Sequence, residues 1–219
     1  MIKPKAIVAL SGGMDSATVL ARACLNREVL AVGFTYGSKH NPYENEMARK
    51  TADYWRVPFE LLDLEAVMGA FKSDLLKTGG DIPEGHYEDS SMSRTVVPGR
   101  NIIFASILSG LAWSRGASEV WLGIHSGDHA IYPDCRPEFF NHMKNAILVG
   151  TDNWVMLVAP FLRANKIDII RDGLELGVPY ELTRTCYKDQ PKACGKCGSC
   201  RERLEAFVAN GIQDPVEYD

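Results

Sequence analysis

Short apolar runs rich in β-branched residues alternate along this 219-residue chain with longer segments in which apolar residues recur at the helical period. The predicted strands are residues 6–10, 29–36, 59–62, 120–124 and 155–159. The predicted helices are residues 15–25, 43–55, 100–115, 137–149 and 166–176. This order predicts a doubly wound α/β fold with a mostly parallel sheet, helices on both faces and a ligand beyond the carboxyl ends of the strands.

The first predicted strand leads directly into residues 11–16, with the sequence SGGMDS, and then into the first predicted helix. Two glycines at a helix start let the backbone approach an anion, and the free N–H groups and the helix dipole attract phosphate there. The string has neither the lysine of GxxxxGK[ST] nor the spacing of GxGxxG, which indicates a different nucleotide chemistry. The predicted nucleotide-binding residues of this segment are Leu10, Ser11, Gly12, Gly13, Met14, Asp15, Ser16, Ala17 and Thr18.

Three side chains are predicted to contact the same nucleotide or its cation. Asp15 is expected to contact Mg²⁺, because this ion takes one or two carboxylates together with substrate phosphates. Alternatively, Asp15 binds no ligand and only stabilises the start of the helix electrostatically. Tyr36 and Lys39 belong to YGSKH at the end of the second predicted strand, and we expect both at the nucleotide. Plain solvent exposure of Lys39 is an equal alternative.

Two further loops at the predicted carboxyl edge of the sheet are rich in polar residues. Arg100, in VPGRN, stands at a helix start where it could reach a phosphate or a carboxylate, and its alternative is a solvated arginine. Residues 123–136 follow the fourth predicted strand and bring two His, two Asp and one Arg together. Their alternative is a connection with turn-forming aspartates and exposed histidines. The predicted substrate-binding residues are His125, Asp128, Tyr132, Asp134 and Arg136.

Four of the six cysteines form the pattern C-x7-C-x2-C-x2-C near the C-terminus. Four thiolates suit a closed, structural Zn²⁺ site, and the intervening glycines permit the tight turns it needs. An iron–sulfur cluster is the alternative, but Arg201 and Glu202 stand where ferredoxins continue with a further cysteine and a proline. We expect a nucleotide-binding domain at 1–180 and a zinc-binding knuckle with a packed helix at 181–219. The predicted zinc ligands are Cys186, Cys194, Cys197 and Cys200.

Composition and charge exclude several classes of protein. The chain is 46% hydrophobic and 24% charged, as in an ordinary globular protein. Its formal charge of −4 argues against the large basic surface that binding to a nucleic-acid backbone needs. Residues 6–10 are too short for a signal-peptide core, and no later apolar run reaches the length of a membrane span. We therefore expect a cytoplasmic protein with reduced thiols and no membrane or direct nucleic-acid partner.

In order along the chain, the segments SGGMDS, YGSKH, VPGRN, YPDCRPEF and LTRTCY…CGKCGSCRER resemble the 7-cyano-7-deazaguanine synthase family. SGGMDS itself resembles the loop of N-type ATP pyrophosphatases, the PP-loop superfamily. The resemblance implies an adenine nucleotide alpha hydrolase-like fold, ATP with Mg²⁺, Zn²⁺ on the four cysteines and a homodimer. It also implies a ligase that adenylates 7-carboxy-7-deazaguanine, accepts ammonia to give an amide, and activates the amide to leave the nitrile used for queuosine. The predicted catalytic residues are Ser11, Asp15, Ser16, Arg100 and Asp128.

The sequence departs from the pattern of that family at several positions, including Met14, Lys39 and His125, so other functions remain open. One is a related synthase that stops at the amide. Another is a PP-loop enzyme of tRNA thiolation, although this acidic chain shows no clear RNA-binding appendage or persulfide-carrying cysteine. A third is a non-enzymatic zinc module, which would leave SGGMDS beside a buried strand without a function.

Overall fold

A five-stranded, fully parallel sheet forms the centre of the molecule, with the strand order β3-β2-β1-β4-β5. The computed structural model describes residues 3–85 and 89–219, except for the side chains of Ser90, Asp128 and His129. The strands are β1 (Lys5–Ala9), β2 (Glu28–Thr35), β3 (Phe59–Asp63), β4 (Glu119–Trp121) and β5 (Met156–Val158). The doubly wound α/β prediction is thereby confirmed.

Seven α-helices connect and cover the strands in the described part of the chain. They are α1 (Met14–Cys24), α2 (Asn41–Tyr54), α3 (Glu65–Met68), α4 (Arg100–Ser114), α5 (Pro137–Gly150), α6 (Lys166–Leu176) and α7 (Gly198–Ala209). Short 3-10 segments lie at Ser90–Thr95, Ser126–Ala130, Pro133–Cys135 and Tyr180–Leu182. The main departure from the predicted boundaries is in β4, which ends at Trp121 because the chain then turns into the loop beyond the sheet.

The order of the strands creates a crevice beside β1. From β1 the chain winds outward through β2 to β3, and it then crosses back so that β4 pairs with the other side of β1. The register shows that β1 lies between β2 and β4, because Ala6 pairs with Val29 on one side and with Glu119 on the other. Loops that follow β1 and β4 therefore separate at the carboxyl edge of the sheet, where open α/β folds bind their ligands.

Both faces of the sheet are covered, which explains why β1 is a continuous apolar run. Ile7 contributes to a core cluster that includes Leu108 of α4 and Ile147 of α5. Val8, on the opposite face, belongs to a cluster with Leu20 of α1 and residues of α2 and α6. Parallel strands buried on two faces need apolar residues at successive positions, so the alternation typical of a half-exposed strand is missing here.

The C-terminal helix α7 packs on helices α1 and α6. Ala206 and Phe207 are buried against Met14 and Ala17 of α1 and Ile170 of α6. This contact fixes the position of the cysteine-rich segment relative to the first helix, because α7 begins directly after Cys197.

One segment among the described residues, Ser91–Ser114, has the length and apolarity of a membrane span. It is not one regular helix, because the α-helical part begins only at Arg100, after Gly99 with a φ of +65°. The 15 residues of α4 extend over about 22 Å at the usual rise, which is less than the thickness of a bilayer core. Since α4 packs on β1 and β4, it is a core helix of the sheet.

Candidate active site

The loop between β1 and α1 is held in a conformation that requires glycine. Gly12 has a φ of +85°, and a Cβ atom at this position would lie 2.1 Å from the carbonyl oxygen of Glu44. The carbonyl oxygen of Gly12 accepts a hydrogen bond of 2.8 Å from the backbone N–H of Arg184. The Arg184 guanidinium in turn donates to three carbonyls of residues 188–191 and lies 4.5 Å from the ring of Tyr43. The loop is therefore clamped between α2 and the C-terminal segment.

The two serines of the loop bind each other and the loop backbone. The Ser11 and Ser16 hydroxyl oxygens lie 3.1 Å apart, and the Ser16 hydroxyl donates to the carbonyl of Gly13 at 3.0 Å. Ser16 also accepts the backbone N–H of Ser11 at 3.2 Å. These contacts fix the start of α1, where the free N–H groups of a helix can donate to an anion. Both serines, Gly13 and Asp15 line the cleft.

Asp15 belongs to a cluster of charged and polar side chains that the sequence analysis did not anticipate. The Lys166 ammonium, at the start of α6, lies 2.8 Å from Asp15 Oδ2, 3.0 Å from His125 Nε2 and 3.3 Å from Glu202 Oε2. The other carboxylate oxygen, Asp15 Oδ1, is buried without a hydrogen-bond partner among the described residues. An orphaned carboxylate oxygen beside a phosphate loop fits the binding of a divalent cation.

The cleft beyond the carboxyl edge has a volume of about 180 Å³ and opens to solvent. Its walls are strongly aromatic, because the rings of Phe34 and Phe104 stack with centroids 4.0 Å apart and three tyrosines line the same space. Planar heterocycles bind well between such side chains. The lining tyrosines are Tyr36, Tyr132 and Tyr187.

Arg100 provides positive charge inside this aromatic cleft. Within the described residues it forms no ion pair with a carboxylate, and its guanidinium donates to the hydroxyl of Tyr36 at 3.4 Å. Burial lowers the pKa of Arg100, but the surrounding Tyr36, Tyr132 and Tyr187 outweigh it and raise the pKa well above its ordinary value. Burial also raises the pKa of Tyr36, which keeps this phenol neutral. The arrangement favours a bound anion, and a planar carboxylate in particular.

Several predicted nucleotide contacts have side chains that point elsewhere. Met14 and Ala17 are fully buried in the core with α7, so Met14 can act at the loop only through its backbone. The Thr18 hydroxyl donates to the Met14 carbonyl at 2.9 Å and lies 2.9 Å from the Tyr180 hydroxyl. Lys39, expected at the nucleotide, instead donates its ammonium to the carbonyls of Asp74, Gly79 and Gly80 and so braces the loop after α3.

The predicted substrate residues after β4 are also divided. Tyr132 lines the cleft, whereas His125 is buried behind it and contacts Lys166. Asp134 accepts the backbone N–H of Asn101 at 2.8 Å, so its carboxylate stabilises the start of α4 and does not line the cleft. Arg136 is exposed where α5 begins. The side chain of Asp128 lies outside the described residues.

The four clustered cysteines lie together as the sequence pattern predicts. Their sulfur atoms all lie within 4.8 Å of one another, and the four side chains are buried. The sulfurs of Cys194 and Cys200 are 4.0 Å apart, close to the edge of about 3.8 Å that zinc–sulfur bonds of about 2.3 Å give in a tetrahedron. Hydrogen bonding to Cys186, together with burial, raises the pKa of Cys197. A bound cation would therefore displace a proton from this thiol.

Comparison with known proteins identifies close relatives over nearly the whole chain. Residues 5–211 match the family model described as queuosine biosynthesis protein QueC. A 7-cyano-7-deazaguanine synthase of Caldicellulosiruptor bescii is 46% identical over 98% of this chain and 97% of its own length. One of Pseudoalteromonas translucida is 45% identical over 98% of this chain and 99% of its own. Among solved structures, the NMN synthetase of Francisella tularensis is 15% identical and aligns over 96% of this chain and 79% of its own with a TM-score of 0.52, a likeness of fold.

Proposed function

The chain belongs to the queuosine biosynthesis protein QueC family, and from this premise we propose how the described cleft makes 7-cyano-7-deazaguanine. It is an ATP-dependent enzyme of the ligase class, with 7-carboxy-7-deazaguanine and ammonia as its substrates. The observation that carries the site assignment is that a preformed phosphate loop and an arginine without a carboxylate partner among the described residues line one cleft.

The first step joins the carboxylate of the deazapurine acid to the AMP part of ATP. A carboxylate oxygen of the base attacks the α-phosphorus of ATP, the bond to the bridging oxygen breaks, and pyrophosphate leaves with the electron pair. Ser11, Ser16 and the N–H groups at the start of α1 stabilise the charge that develops on pyrophosphate. This loop is preorganised by its own hydrogen bonds, so little reorganisation is needed as the charge forms.

The second half of the reaction needs no covalent enzyme nucleophile. Ammonia attacks the adenylated carbonyl, AMP leaves and a proton is lost, which gives the amide. The amide oxygen then attacks the α-phosphorus of a second ATP and displaces pyrophosphate. The adenylated amide loses two protons from its nitrogen while its C–O bond breaks and AMP leaves, which gives the nitrile. We assign Arg100 to the carboxylate of the base, and the aromatic walls around Phe104 and Tyr132 to its ring system.

Two metal ions complete the proposal. Asp15 would hold Mg²⁺ through its orphaned oxygen, and the ion would supply positive charge to the phosphates of ATP. Zn²⁺ would be bound by Cys186, Cys194, Cys197 and Cys200 in a closed site that fixes residues 181–219 on the nucleotide-binding domain 1–180. Since all four ligand positions are thiolates, this ion has a structural function.

We further propose a cytoplasmic homodimer that uses free ammonia and contacts no nucleic acid. Ile102 and Trp113 of α4 are large apolar side chains that are 46% and 52% exposed. Neither side chain lines the cleft, so a second copy could cover both without blocking substrate entry. Light scattering of the purified protein tests this part of the proposal separately from activity.

The test of the reaction is incubation with ATP, Mg²⁺, ammonium and 7-carboxy-7-deazaguanine, followed by mass spectrometry of bases and nucleotides. We expect AMP, pyrophosphate and the nitrile, with the amide as an earlier product. AMP without any change in the base would contradict the substrate, and ADP would contradict the function of the phosphate loop.

A variant pair tests the assignment of Arg100. Arg100→Met should lower kcat/KM for the deazapurine acid by about 100-fold, because the proposed charge-assisted hydrogen bond to the substrate carboxylate would be lost in a desolvated site. Arg115→Met, at the exposed far end of the same helix, is the matched control and should retain activity. Equal activity of the two variants would refute the assignment.

A further inference from the structure

Glu202 connects the cysteine cluster to the phosphate site. It lies on α7 two residues after Cys200, and its carboxylate reaches the Lys166 ammonium at 3.3 Å. Its other oxygen lies against Gly127, where an added Cβ would be 2.8 Å from Glu202 Oε1 and 2.9 Å from the His125 ring. Four segments of the chain therefore meet at this point: the first turn of α1, the start of α6, the loop after β4 and the helix that carries a cysteine of the cluster.

The charged groups of this cluster are poorly hydrated. Lys166 lies between the carboxylates of Asp15 and Glu202 and also contacts His125, and the side chains of Lys166, Asp15 and Glu202 are only 8%, 21% and 16% exposed. Water therefore screens these charges only weakly, and they lie directly beside the phosphate loop. A divalent cation at Asp15 would compete with Lys166 for this carboxylate.

We propose that Glu202 is a positioning residue. It would hold Lys166 beside the phosphate loop when the Asp15 carboxylate gives up its contact with Lys166 and binds Mg²⁺ instead. With Glu202 in place, the lysine keeps a carboxylate partner after Asp15 is taken, and its ammonium stays within the cleft, where the phosphates bind. Without that partner, Lys166 would hold Asp15 more tightly, and the site would have one negative charge less to attract the cation. Both effects weaken Mg²⁺ binding.

Through Glu202, the cysteine cluster would influence the position of Lys166 in the active site. Cys197 precedes the first residue of α7 and Cys200 lies in its first turn, so the cluster sets where this helix begins and which way Glu202 points. The inference rests on the proposed function, because it takes ATP with a divalent cation as the ligand of the cleft.

The test is Glu202→Gln, which keeps the shape of the side chain and removes its charge. The measurement is the Mg²⁺ concentration that gives half of the ATP-induced rise in melting temperature, with no deazapurine present. We expect this concentration to rise about tenfold, as is typical when a group behind a metal ligand is altered. Zinc content and the melting temperature without ligand should match the wild type.

Glu205→Gln is the matched control, because Glu205 lies on the exposed side of the same helix. An unchanged Mg²⁺ requirement in Glu202→Gln, or an equal shift in Glu205→Gln, would overturn the proposal. If Glu202→Gln loses zinc or has a lower melting temperature than the wild type, Glu202→Asp is measured in its place. Its shorter side chain should raise the Mg²⁺ concentration for half of the ATP-induced stabilisation at least threefold. A concentration equal to that of the wild type would overturn the proposal. If the wild type itself shows no stabilisation by ATP with Mg²⁺, the proposed function fails instead.

Discussion

Arg203 of α7 forms the most completely bonded buried ion pair among the described residues, and breaking it is the sharpest test of how the C-terminal segment is held. Its guanidinium donates to both oxygens of Asp214, at 2.7 and 2.9 Å. The remaining donors reach the hydroxyls of Thr183 and Thr185 and the carbonyl of Tyr180. Both charged side chains are 2% exposed, so neither has water as a substitute partner.

The perturbation is Asp214→Asn, which keeps one acceptor oxygen and removes the charge. Removing one partner of a buried pair costs about 3–5 kcal/mol, because the other charge stays desolvated. We expect a loss near 3 kcal/mol, since the amide oxygen still accepts one hydrogen bond from Arg203. For a chain of this length each kcal/mol lowers the melting temperature by about 2–4 °C, so the expected decrease is about 6–12 °C.

The assay is urea unfolding followed by circular dichroism, with Asp189→Asn as an exposed control on the same C-terminal segment. Arg203→Met and the double variant complete a double-mutant cycle, which measures the coupling between the two side chains. We expect the double variant to lose less free energy of unfolding than the sum of the two single variants. Strict additivity, or a loss below about 1 kcal/mol for Asp214→Asn, would refute the view that this pair holds the segment.

Three further changes test other parts of the structure. Removing the proposed zinc with a chelator, or Cys197→Ser, should lower the melting temperature and the affinity for ATP together, and unaltered affinity would contradict a cluster that positions α7. Gly12→Ala should abolish ATP binding, because its Cβ would overlap a backbone oxygen, whereas Gly116→Ala has a similar positive φ but open space and should bind ATP normally. Burial raises the pKa of Cys24 to about 11. Its alkylation at pH 8 should therefore be about 100-fold slower than that of a free thiol, and it should accelerate with rising pH. An alkylation rate equal to that of glutathione would contradict the raised pKa.

The fold and the conformation of the loop between β1 and α1 can be predicted from the sequence, because each depends on local sequence pattern. Continuous apolar runs and helical spacing predict all five strands and the helices α1, α2, α4, α5 and α6. Gly12 of SGGMDS can be assigned because few residues other than glycine tolerate a φ of +85°. The four cysteines are assignable for a similar reason, since their spacing limits the geometry of a common ligand.

Side-chain direction in the neighbouring loops is harder to predict. Lys39 and Asp134 lie near the carboxyl edge of the sheet, where polar residues were expected to face the ligand. Lys39 instead donates to carbonyls of the loop after α3, and Asp134 accepts an N–H at the start of α4. Both satisfy backbone groups that distant parts of the chain expose, and no spacing in the sequence reports that need. The position of a loop is therefore predictable where the direction of its side chains is not.

Cations on the buried face of a helix offer a signal that the sequence does contain. Lys166 shares a face of α6 with Ile169 and Ile170, at the spacing of an apolar stripe, and Arg203 shares a face of α7 with Phe207 in the same way. A charge at such a position is stable only with a buried partner of opposite charge, so each implies a carboxylate elsewhere in the chain. The two differ in where they stand: Arg203 is in the middle of its helix and fastens the segment, whereas Lys166 begins α6 just beyond the carboxyl end of β5. A buried-face cation at a helix start on the ligand edge of a parallel sheet is thus a candidate for the active site, and one within a helix is a candidate for stability.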